Sequence, residues 1–347
     1  MSSRRSFLKG TGAAAAAVAV AGAGRVRGAS AAAAAGSAPA YNGPHEMPRN
    51  VTLLAIRQGD GADTLGAKTA KGVVDVRAAS AALNIAAPLT LGALLREGDA
   101  AGLAKLIQAA ETAPDAQRFV IDESKINHGR LFTNPSKIVC VGLNYRRHAQ
   151  EIGAPIPKKP VLFNKYNNTL AAHNCTIKLP PEDVSYKFDY ETELLIVIGK
   201  HARNVSEADA LNYVAGYCTS NDFSSRDLQL ETGGQWMIGK TLDDFAPIGP
   251  YFVSADLAGD PNKLKIETRV NGEVRQSSNT SDFIFNTQQM IAYITKHFAL
   301  EPGDIIFTGT PEGVILGYPK EKQVWLKPGD EIVSSIEKLG DLKFKLA

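Results

Sequence analysis

The sequence predicts a β-rich α+β fold, with a small N-terminal α/β domain followed by a larger sheet assembly. Short apolar runs bounded by Gly, Pro and Asn recur along the chain, whereas few stretches have the apolar spacing of a helix. Asn271-Gly272 separates two such runs, which is a strong β-hairpin signal. The run Y-E-T-E-L-L-I-V-I-G from Tyr190 to Gly199 has an apolar end typical of a buried strand.

The small domain is expected over residues 41–134. Strands are predicted at 51–56 and 73–76, and apolar residues have helical spacing at 90–95 and 101–107. No cluster of titratable side chains occurs in this segment. We therefore interpret it as a module that supports packing or dimer formation.

The larger domain is expected over residues 135–347, beginning where Pro135 changes the character of the chain. Its predicted strands cover 138–141, 161–163, 190–199, 214–218, 264–270, 273–276, 304–307 and 331–334. Its predicted helices cover 144–152 and 286–298.

The first 40 residues differ from the rest of the chain. The pair Arg4-Arg5, followed by F-L-K and a stretch of Ala, Gly and Val, is typical of a twin-arginine export signal, although a low-complexity tail is the alternative. The protein is therefore expected to be periplasmic or secreted. Its 3 cysteines do not suggest a disulfide framework, and buried free thiols are expected.

Charge and hydropathy exclude several classes of protein. The chain has 347 residues, with 38 basic and 36 acidic residues and a formal net charge of +2, so no basic field for nucleic acid is present. No apolar run in the body of the chain is long enough to span a membrane. These properties favour a globular protein that acts on a small molecule.

Three acidic residues are candidates for a metal site. Glu191 and Glu193 are two apart in a predicted strand, so their side chains should share one face. Asp222 follows the predicted strand 214–218 on a loop. A hard divalent cation such as Mg²⁺ or Mn²⁺ would compensate such carboxylates, and no spacing typical of zinc occurs. The alternatives are an edge strand with both glutamates in water, and Asp222 as a helix N-cap.

Other side chains suggest acid–base chemistry. His148 and Glu151 are three apart in a predicted helix, where a carboxylate would orient an imidazole as a general base. Lys240 would stabilise a developing oxyanion, and the turn containing Thr310 would hold a substrate carboxylate. Taken alone, each has an ordinary explanation as an exposed helical pair, a surface lysine or a plain turn.

These signals occur in one fixed order along residues 135–347. The order is V-G-L-N-Y-x-x-H-x-x-E, F-x-K, Y-E-T-E-L-x-x-V-I-G, N-D-x-S-x-R-D, W-x-x-G-K-x-x-D-x-F-x-P-x-G-P, V-N-G-E-x-x-Q and P-G-D-I-I-x-T-G-T-P-x-G-V. This order resembles the fumarylacetoacetate hydrolase family throughout the larger domain. The resemblance implies a mixed β-sandwich roll and a homodimer.

The resemblance also implies a role for individual residues. It assigns Glu191, Glu193 and Asp222 as ligands of Mg²⁺ or Mn²⁺, His148 and Glu151 as a water-activating dyad on a lid segment, Lys240 as a group beside the metal, and Lys165, Thr310 and Tyr145 as substrate-binding residues. Two positions depart from the family pattern, and the first removes a candidate anchor for a substrate carboxylate. Leu143 stands where several acylpyruvases carry a basic residue, and residues 315–323 replace a glycine-rich continuation.

The function implied is metal-dependent hydrolysis of a C–C bond in a small 2,4-dioxo acid of the acylpyruvate or diketo-deoxy-sugar-acid type. The same site would also suit an oxo-acid decarboxylase, an isomerase or hydratase, or an enzyme similar to ureidoglycolate lyase. From a different class, an exported ligand-binding protein without turnover is the remaining alternative. No nucleic-acid partner is expected, and no membrane contact after the signal is cleaved.

Overall fold

A computed structural model describes residues 43–347, so the predicted export signal lies outside the described residues. The strands are β1 (Thr52–Arg57), β2 (Asp63–Thr69), β3 (Gly72–Asp75), β4 (Val120–Ile121), β5 (Ile138–Gly142), β6 (Val161–Asn164), β7 (Leu170–Ala171), β8 (Cys175–Ile177), β9 (Phe188–Asp189), β10 (Thr192–Ile198), β11 (Val214–Asn221), β12 (Ser224–Ser225), β13 (Ala246–Ser254), β14 (Lys265–Val270), β15 (Glu273–Asn279), β16 (Ile305–Phe307), β17 (Glu331–Ile336) and β18 (Gly340–Leu346). The helices are α1 (Val76–Leu83), α2 (Leu91–Glu97), α3 (Ala100–Thr112), α4 (Arg146–Glu151), α5 (Arg226–Glu231), α6 (Met237–Lys240), α7 (Ala255–Ala258) and α8 (Thr287–His297).

An 11-stranded mixed sheet forms the centre of the fold, in the order β4-β3-β2-β1-β13-β11-β10-β16-β5-β6, with β7 paired to β13. Strand β10 is buried along its whole length. Leu195 and Val197 belong to the core on one face of the sheet, whereas Leu194 and Ile196 belong to the core on the other. A strand covered on both faces needs apolar residues at consecutive positions, which explains the run L-L-I-V-I.

Helices cover the two faces of the large sheet. The first core contains the apolar side chains of α1, α2 and α3 and is continuous with β10. The second contains Met290, Ile291 and Ile294 of α8. These helices are amphipathic, with their apolar stripes packed on the sheet, so packing rather than helix propensity stabilises them.

A 5-stranded sheet in the order β15-β14-β17-β18-β8 lies next to the large sheet, and β9 and β12 form a 2-stranded ribbon. A third core includes Phe223 and Phe245 together with Leu342 and Phe344 of β18. The second sheet therefore packs behind the ends of β10 and β11, where the candidate acidic residues lie.

The predicted β-rich α+β fold is confirmed. The predicted hairpin is also confirmed, since β14 and β15 pair through Asn271 and Gly272, at φ 52° and 84°. Strand β1 pairs with β13, so the N-terminal segment contributes strands to the same sheet as the later part of the chain. The boundary between residues 134 and 135 stays a prediction.

Candidate metal and substrate site

Two neighbouring strands bring the three candidate metal ligands together. Thr192, at the start of β10, pairs with Asn221 at the end of β11. The backbone N–H of Asp222 donates to the carbonyl of Glu191 at 2.8 Å. As a result, Glu191, Glu193 and Asp222 each offer a carboxylate oxygen within 4.8 Å of the others, and all three residues are buried.

Two lysines contact these carboxylates. Lys240 Nζ lies 2.9 Å from Glu191 Oε2 and 2.8 Å from Asp222 Oδ2. Lys165 Nζ lies 2.6 Å from Asp222 Oδ1. Helix α6 brings Lys240 close because Gly239 has no side chain: a Cβ there would lie 2.5 Å from the Ser225 carbonyl oxygen.

A buried arginine and a fourth carboxylate, neither of which was predicted from the sequence as a site residue, complete the cluster. Arg226 Nη1 lies 2.7 Å from Glu191 Oε1, and Nε donates to Asp189 Oδ2 at 2.9 Å. Asp189 also accepts the backbone N–H groups of Ile315 at 2.9 Å and Leu316 at 3.0 Å. The R-D pair of the motif N-D-x-S-x-R-D was the available signal for the arginine.

Glu193 has a different environment from the other carboxylates. Its Oε2 accepts the backbone N–H of Gly309 at 2.7 Å. Gly309 has φ 97°, and a Cβ there would lie 2.8 Å from the Cβ of Asn144, so the turn that presents this N–H requires glycine. No basic side chain forms an ion pair with Glu193 in the part of the chain that the structure describes.

The surroundings of Glu191 and Glu193 shift the pKa values of the two carboxyl groups in opposite directions. Burial opposes the ionisation of Glu191, but Lys240 and Arg226 outweigh it and lower the pKa to about 2. Burial raises the pKa of Glu193 well above its ordinary value, and the nearby charges of Asp222 and Glu191 raise it further. Burial acts to lower the pKa of Lys240, but Asp222 and Glu191 reverse this and raise it.

The predicted general base and its partner lie on α4. His148 is 6% exposed, and its Nδ1 lies 3.2 Å from Glu151 Oε2. The other oxygen of Glu151 accepts the backbone N–H of Gly313 at 2.9 Å. With Nδ1–H directed at Glu151, Nε2 is the atom left to exchange a proton with a ligand.

The predicted substrate-binding residues occupy three different positions. Thr310 lines the same cleft as His148 and Lys240. Lys165 is almost completely buried and contacts Asp222 instead of the cleft. Tyr145 is buried against Phe283, and its hydroxyl has no hydrogen-bond partner among the described residues. The substrate roles of all three stay predictions.

One small cleft joins the acidic, basic and imidazole groups. Glu191, Glu193, Arg226, Lys240 and His148 line it, and its cavity volume is about 80 Å³. More exposed apolar side chains surround the charged interior: Leu143, Ile152, Phe163, Leu230, Trp236 and Leu316. A cleft of this size with charges at its base suits a small polar acid.

The cluster fits a divalent cation. Its four carboxylates outnumber its three basic groups by one, so ionisation of Glu193, whose pKa is raised, leaves one excess negative charge that a cation would neutralise. Carboxylate oxygens retain lone pairs after accepting one hydrogen bond, so contacts with lysine or backbone N–H groups do not prevent coordination. Oxygen-only ligands match hard cations of the Mg²⁺ or Mn²⁺ type. Glu191, Glu193 and Asp222 could therefore hold such an ion.

Comparison with known families gives two matches. The fumarylacetoacetate (FAA) hydrolase C-terminal family matches residues 137–347. The twin-arginine translocation pathway signal sequence matches residues 1–21, which indicates export. No helix among residues 43–347 is both long enough and apolar enough to cross a membrane.

Individual relatives agree with the family match. The mitochondrial oxaloacetate tautomerase Fahd2a of Rattus norvegicus is 41% identical over 269 residues, which are 78% of this chain and 82% of the relative. The structure of a fumarylacetoacetate hydrolase from Exiguobacterium antarcticum matches with a TM-score of 0.69 and 31% identity, covering 86% of this chain and 99% of that protein. A fumarylpyruvate hydrolase from Pseudomonas aeruginosa, in complex with Mn²⁺ and pyruvate, matches with a TM-score of 0.56 and 33% identity, covering 62% and 91%.

Proposed function

The chain belongs to the fumarylacetoacetate hydrolase family and is an enzyme of that superfamily, and from this premise we propose that it catalyses keto–enol tautomerisation of a small 2-oxo acid of the oxaloacetate type. The proposal includes a divalent cation held by Glu191, Glu193 and Asp222. Support comes from the oxaloacetate tautomerase of Rattus norvegicus, a relative that is 41% identical over most of both chains.

The observation that carries the proposal is the shared cleft. His148 and Lys240 line the same small cavity as Glu191 and Glu193. A group that moves a proton and a group that stabilises negative charge on oxygen therefore face one bound acid. Tautomerisation needs these two elements and no further reactant.

The chain's own residues would act as follows. His148 Nε2 takes a proton from the carbon next to the 2-oxo group, while Glu151 fixes the orientation of the ring. Lys240 has three N–H donors, two of which point at Glu191 and Asp222, so the third is available to the substrate oxygen. Delivery of this proton to the 2-oxo oxygen completes the enol, and formation of the keto acid runs the same two transfers in the opposite order. A bound divalent cation would supply Lewis acidity at the 2-oxo group.

Hydrolysis of a C–C bond in a 2,4-dioxo acid is the second candidate. The His148–Glu151 pair favours it, because an imidazole backed by a carboxylate also suits deprotonation of water. The fumarylpyruvate hydrolase with bound Mn²⁺ and pyruvate adds support. Both reactions require stabilisation of the negative charge that develops on the 2-oxo oxygen, and only hydrolysis requires attack of water on a second carbonyl.

A single assay series distinguishes these candidates. Mature protein is freed of metal with EDTA, supplied with Mg²⁺ or Mn²⁺, and tested on the enol form of oxaloacetate by ultraviolet absorbance. The same samples are incubated with acetylpyruvate and fumarylpyruvate, and products are identified by NMR. We expect faster loss of the enol band, dependent on metal, with no cleavage of the dioxo acids.

Each result has a defined meaning. If pyruvate is released from a dioxo acid faster than oxaloacetate is tautomerised, C–C bond hydrolysis is the favoured function. Turnover unchanged after exhaustive chelation would remove the metal from the mechanism. Tight binding of an oxo acid without any conversion would instead identify a ligand-binding protein.

Two further properties are proposed from the same premises. The twin-arginine signal supports a final location in the periplasm or outside the cell, and cell fractionation of the full chain would distinguish these. The family membership supports a homodimer, which sedimentation of the mature protein would test.

A further inference from the structure

Gln276 of β15 lies beneath the acidic cluster and is almost completely buried. Its Oε1 accepts the backbone N–H of Thr192 at 3.2 Å and the hydroxyl of Thr268 at 2.6 Å. Its Nε2 donates to Thr310 Oγ1 at 2.9 Å and to the carbonyl of Pro311 at 2.9 Å. Every hydrogen-bonding position of this side-chain amide is thus used, which fixes both its location and its orientation.

Thr192 is the residue between the two glutamates of the metal site. Its N–H is bound by Gln276, and its carbonyl accepts the hydroxyl of Thr310 at 3.0 Å, which in turn accepts from Gln276. Gln276 therefore holds the peptide groups on both sides of Thr192, one directly and the other through Thr310. Because Glu191 and Glu193 leave the backbone on either side of this point, their separation depends on these hydrogen bonds.

The same amide also holds the opposite wall of the site. The turn that contains Thr310 and Pro311 continues from Gly309, whose N–H donates to Glu193 Oε2 at 2.7 Å. One side chain thus links the strand that carries both glutamates to the turn that orients one of them.

A second arm of the buried network reaches the third carboxylate. Ser334 Oγ accepts from Thr192 Oγ1 at 2.6 Å and from Asn221 Nδ2 at 3.0 Å. Asn221 precedes Asp222, and its Oδ1 accepts the N–H of Glu191 at 3.1 Å. The second sheet therefore reaches both strands of the acidic cluster through polar side chains that are fully buried.

We propose that Gln276 is a positioning residue that sets the arrangement of Glu191 and Glu193 for a divalent cation. Gln276 does not line the cleft and acts through Thr192 and the Thr310 turn. This inference rests on the metal centre of the proposed function and not on which reaction the enzyme catalyses. Buried groups that orient metal ligands typically change metal affinity by about 10–100-fold when removed.

The test is Mn²⁺ binding to Gln276→Met, measured by electron paramagnetic resonance of free Mn²⁺ together with the melting temperature of the metal-free protein. Methionine has a similar length but cannot make the four hydrogen bonds. The matched control is Gln289→Met, which removes the capping box at the start of α8, away from the site. We expect the Mn²⁺ dissociation constant to rise about tenfold or more for Gln276→Met and to change less than about twofold for the control.

Three outcomes would overturn the proposal. The first is an unchanged Mn²⁺ dissociation constant in Gln276→Met. The second is an equal rise in both variants at equal loss of melting temperature, since this would show a general effect of stability. The third is a wild-type protein that binds no Mn²⁺, which would also reject the metal centre. If Gln276→Met does not fold, Gln276→Asn replaces it, because it keeps a neutral amide but is one carbon shorter and cannot keep all four hydrogen bonds, and it should still weaken Mn²⁺ binding.

Discussion

Replacing Lys240 with methionine should destabilise the metal-free protein and strengthen its binding of Mn²⁺. The Lys240 side chain is 2% exposed, and its carboxylate partners Glu191 and Asp222 are 9% and 0% exposed, so solvent screens these contacts little. Breaking a buried ion pair by removing one partner costs about 3–5 kcal/mol. With a fall of about 2–4 °C for each kcal/mol in large domains, the melting temperature in EDTA should drop by at least about 6 °C.

The second half of this prediction concerns the metal. Without Lys240, the excess negative charge of the cluster increases by one, so the binding free energy of a cation becomes more favourable. We expect the Mn²⁺ dissociation constant at pH 8 to fall at least about tenfold, equivalent to about 1.4 kcal/mol. Added Mn²⁺ should therefore raise the melting temperature more in Lys240→Met than in wild type, while turnover falls because the donor to the substrate oxygen is lost.

Differential scanning calorimetry with EDTA or Mn²⁺ measures both effects. The matched control is Lys137→Met: Lys137 Nζ lies 2.9 Å from Asp304, a buried carboxylate outside the cluster. Asp304 keeps three other hydrogen bonds, from Ser136 and from two backbone N–H groups, so this variant should lose only about 1 kcal/mol or less. The reasoning would be refuted if Lys240→Met had the melting temperature of wild type in EDTA. It would also be refuted if Mn²⁺ raised the melting temperature of the variant no more than that of wild type.

Two further predictions concern histidines. His148→Gln should lower kcat by about 10²–10⁴ while Mn²⁺ affinity stays unchanged, and near wild-type turnover would reject His148 as the base. His173 lies against His128, and burial, followed by the charge of His128, lowers its pKa to about 4. The unfolded chain, with a histidine pKa of about 6.5, therefore takes up a proton between pH 6.5 and 4 that the folded protein does not, so stability falls as the pH falls through this window. Because His173 is only partly buried, we expect a loss of about 1 kcal/mol at pH 5 after solvent screening, measured by urea unfolding, and His173→Gln should remove this component; an identical pH profile in the variant would contradict it.

Local patterns predicted the main elements of the fold. The apolar run of β10 and the Asn271-Gly272 hairpin were both identified because each depends on neighbours within a few residues. The pairing of β1 with β13 was not predicted, since it joins segments about 200 residues apart and no local signal specifies it. Short-range periodicity therefore defines strands but not their partners.

The site was predicted in part for the same reason. Glu191 and Glu193 were grouped by strand alternation, and their convergence with Asp222 depends on the register of β10 and β11. Arg226 pairs with Asp189 and Glu191, while its neighbour Asp227 accepts the hydroxyls of Ser185 and Ser225. Adjacent residues at a helix start point in different directions, so sequence adjacency did not indicate the contact.

For Tyr145 and Lys165, the sequence did not indicate the direction of the side chain. The family pattern placed both at the substrate site, but Lys165 binds Asp222 and Tyr145 packs against Phe283 in the core. A motif gives the position of a residue along the chain, and the direction of its side chain follows from packing. Lys165 contacts the cluster through Asp222, and the substrate roles of both residues stay predictions.

The apolar residues around the opening of the cleft, here called the rim, are separate from the charged residues at its base, and this separation affects how the enzyme can acquire new substrates. Phe163 lies with its ring centroid 5.3 Å from Lys240 Nζ. The other five apolar rim residues form no ion pair or cation–π contact among the described residues: Leu143, Ile152, Leu230, Trp236 and Leu316. Single replacements at the rim can alter the shape offered to a visiting acid while leaving the catalytic charges undisturbed. Laboratory evolution aimed at these five positions should consequently broaden or redirect substrate choice at little expense to protein yield.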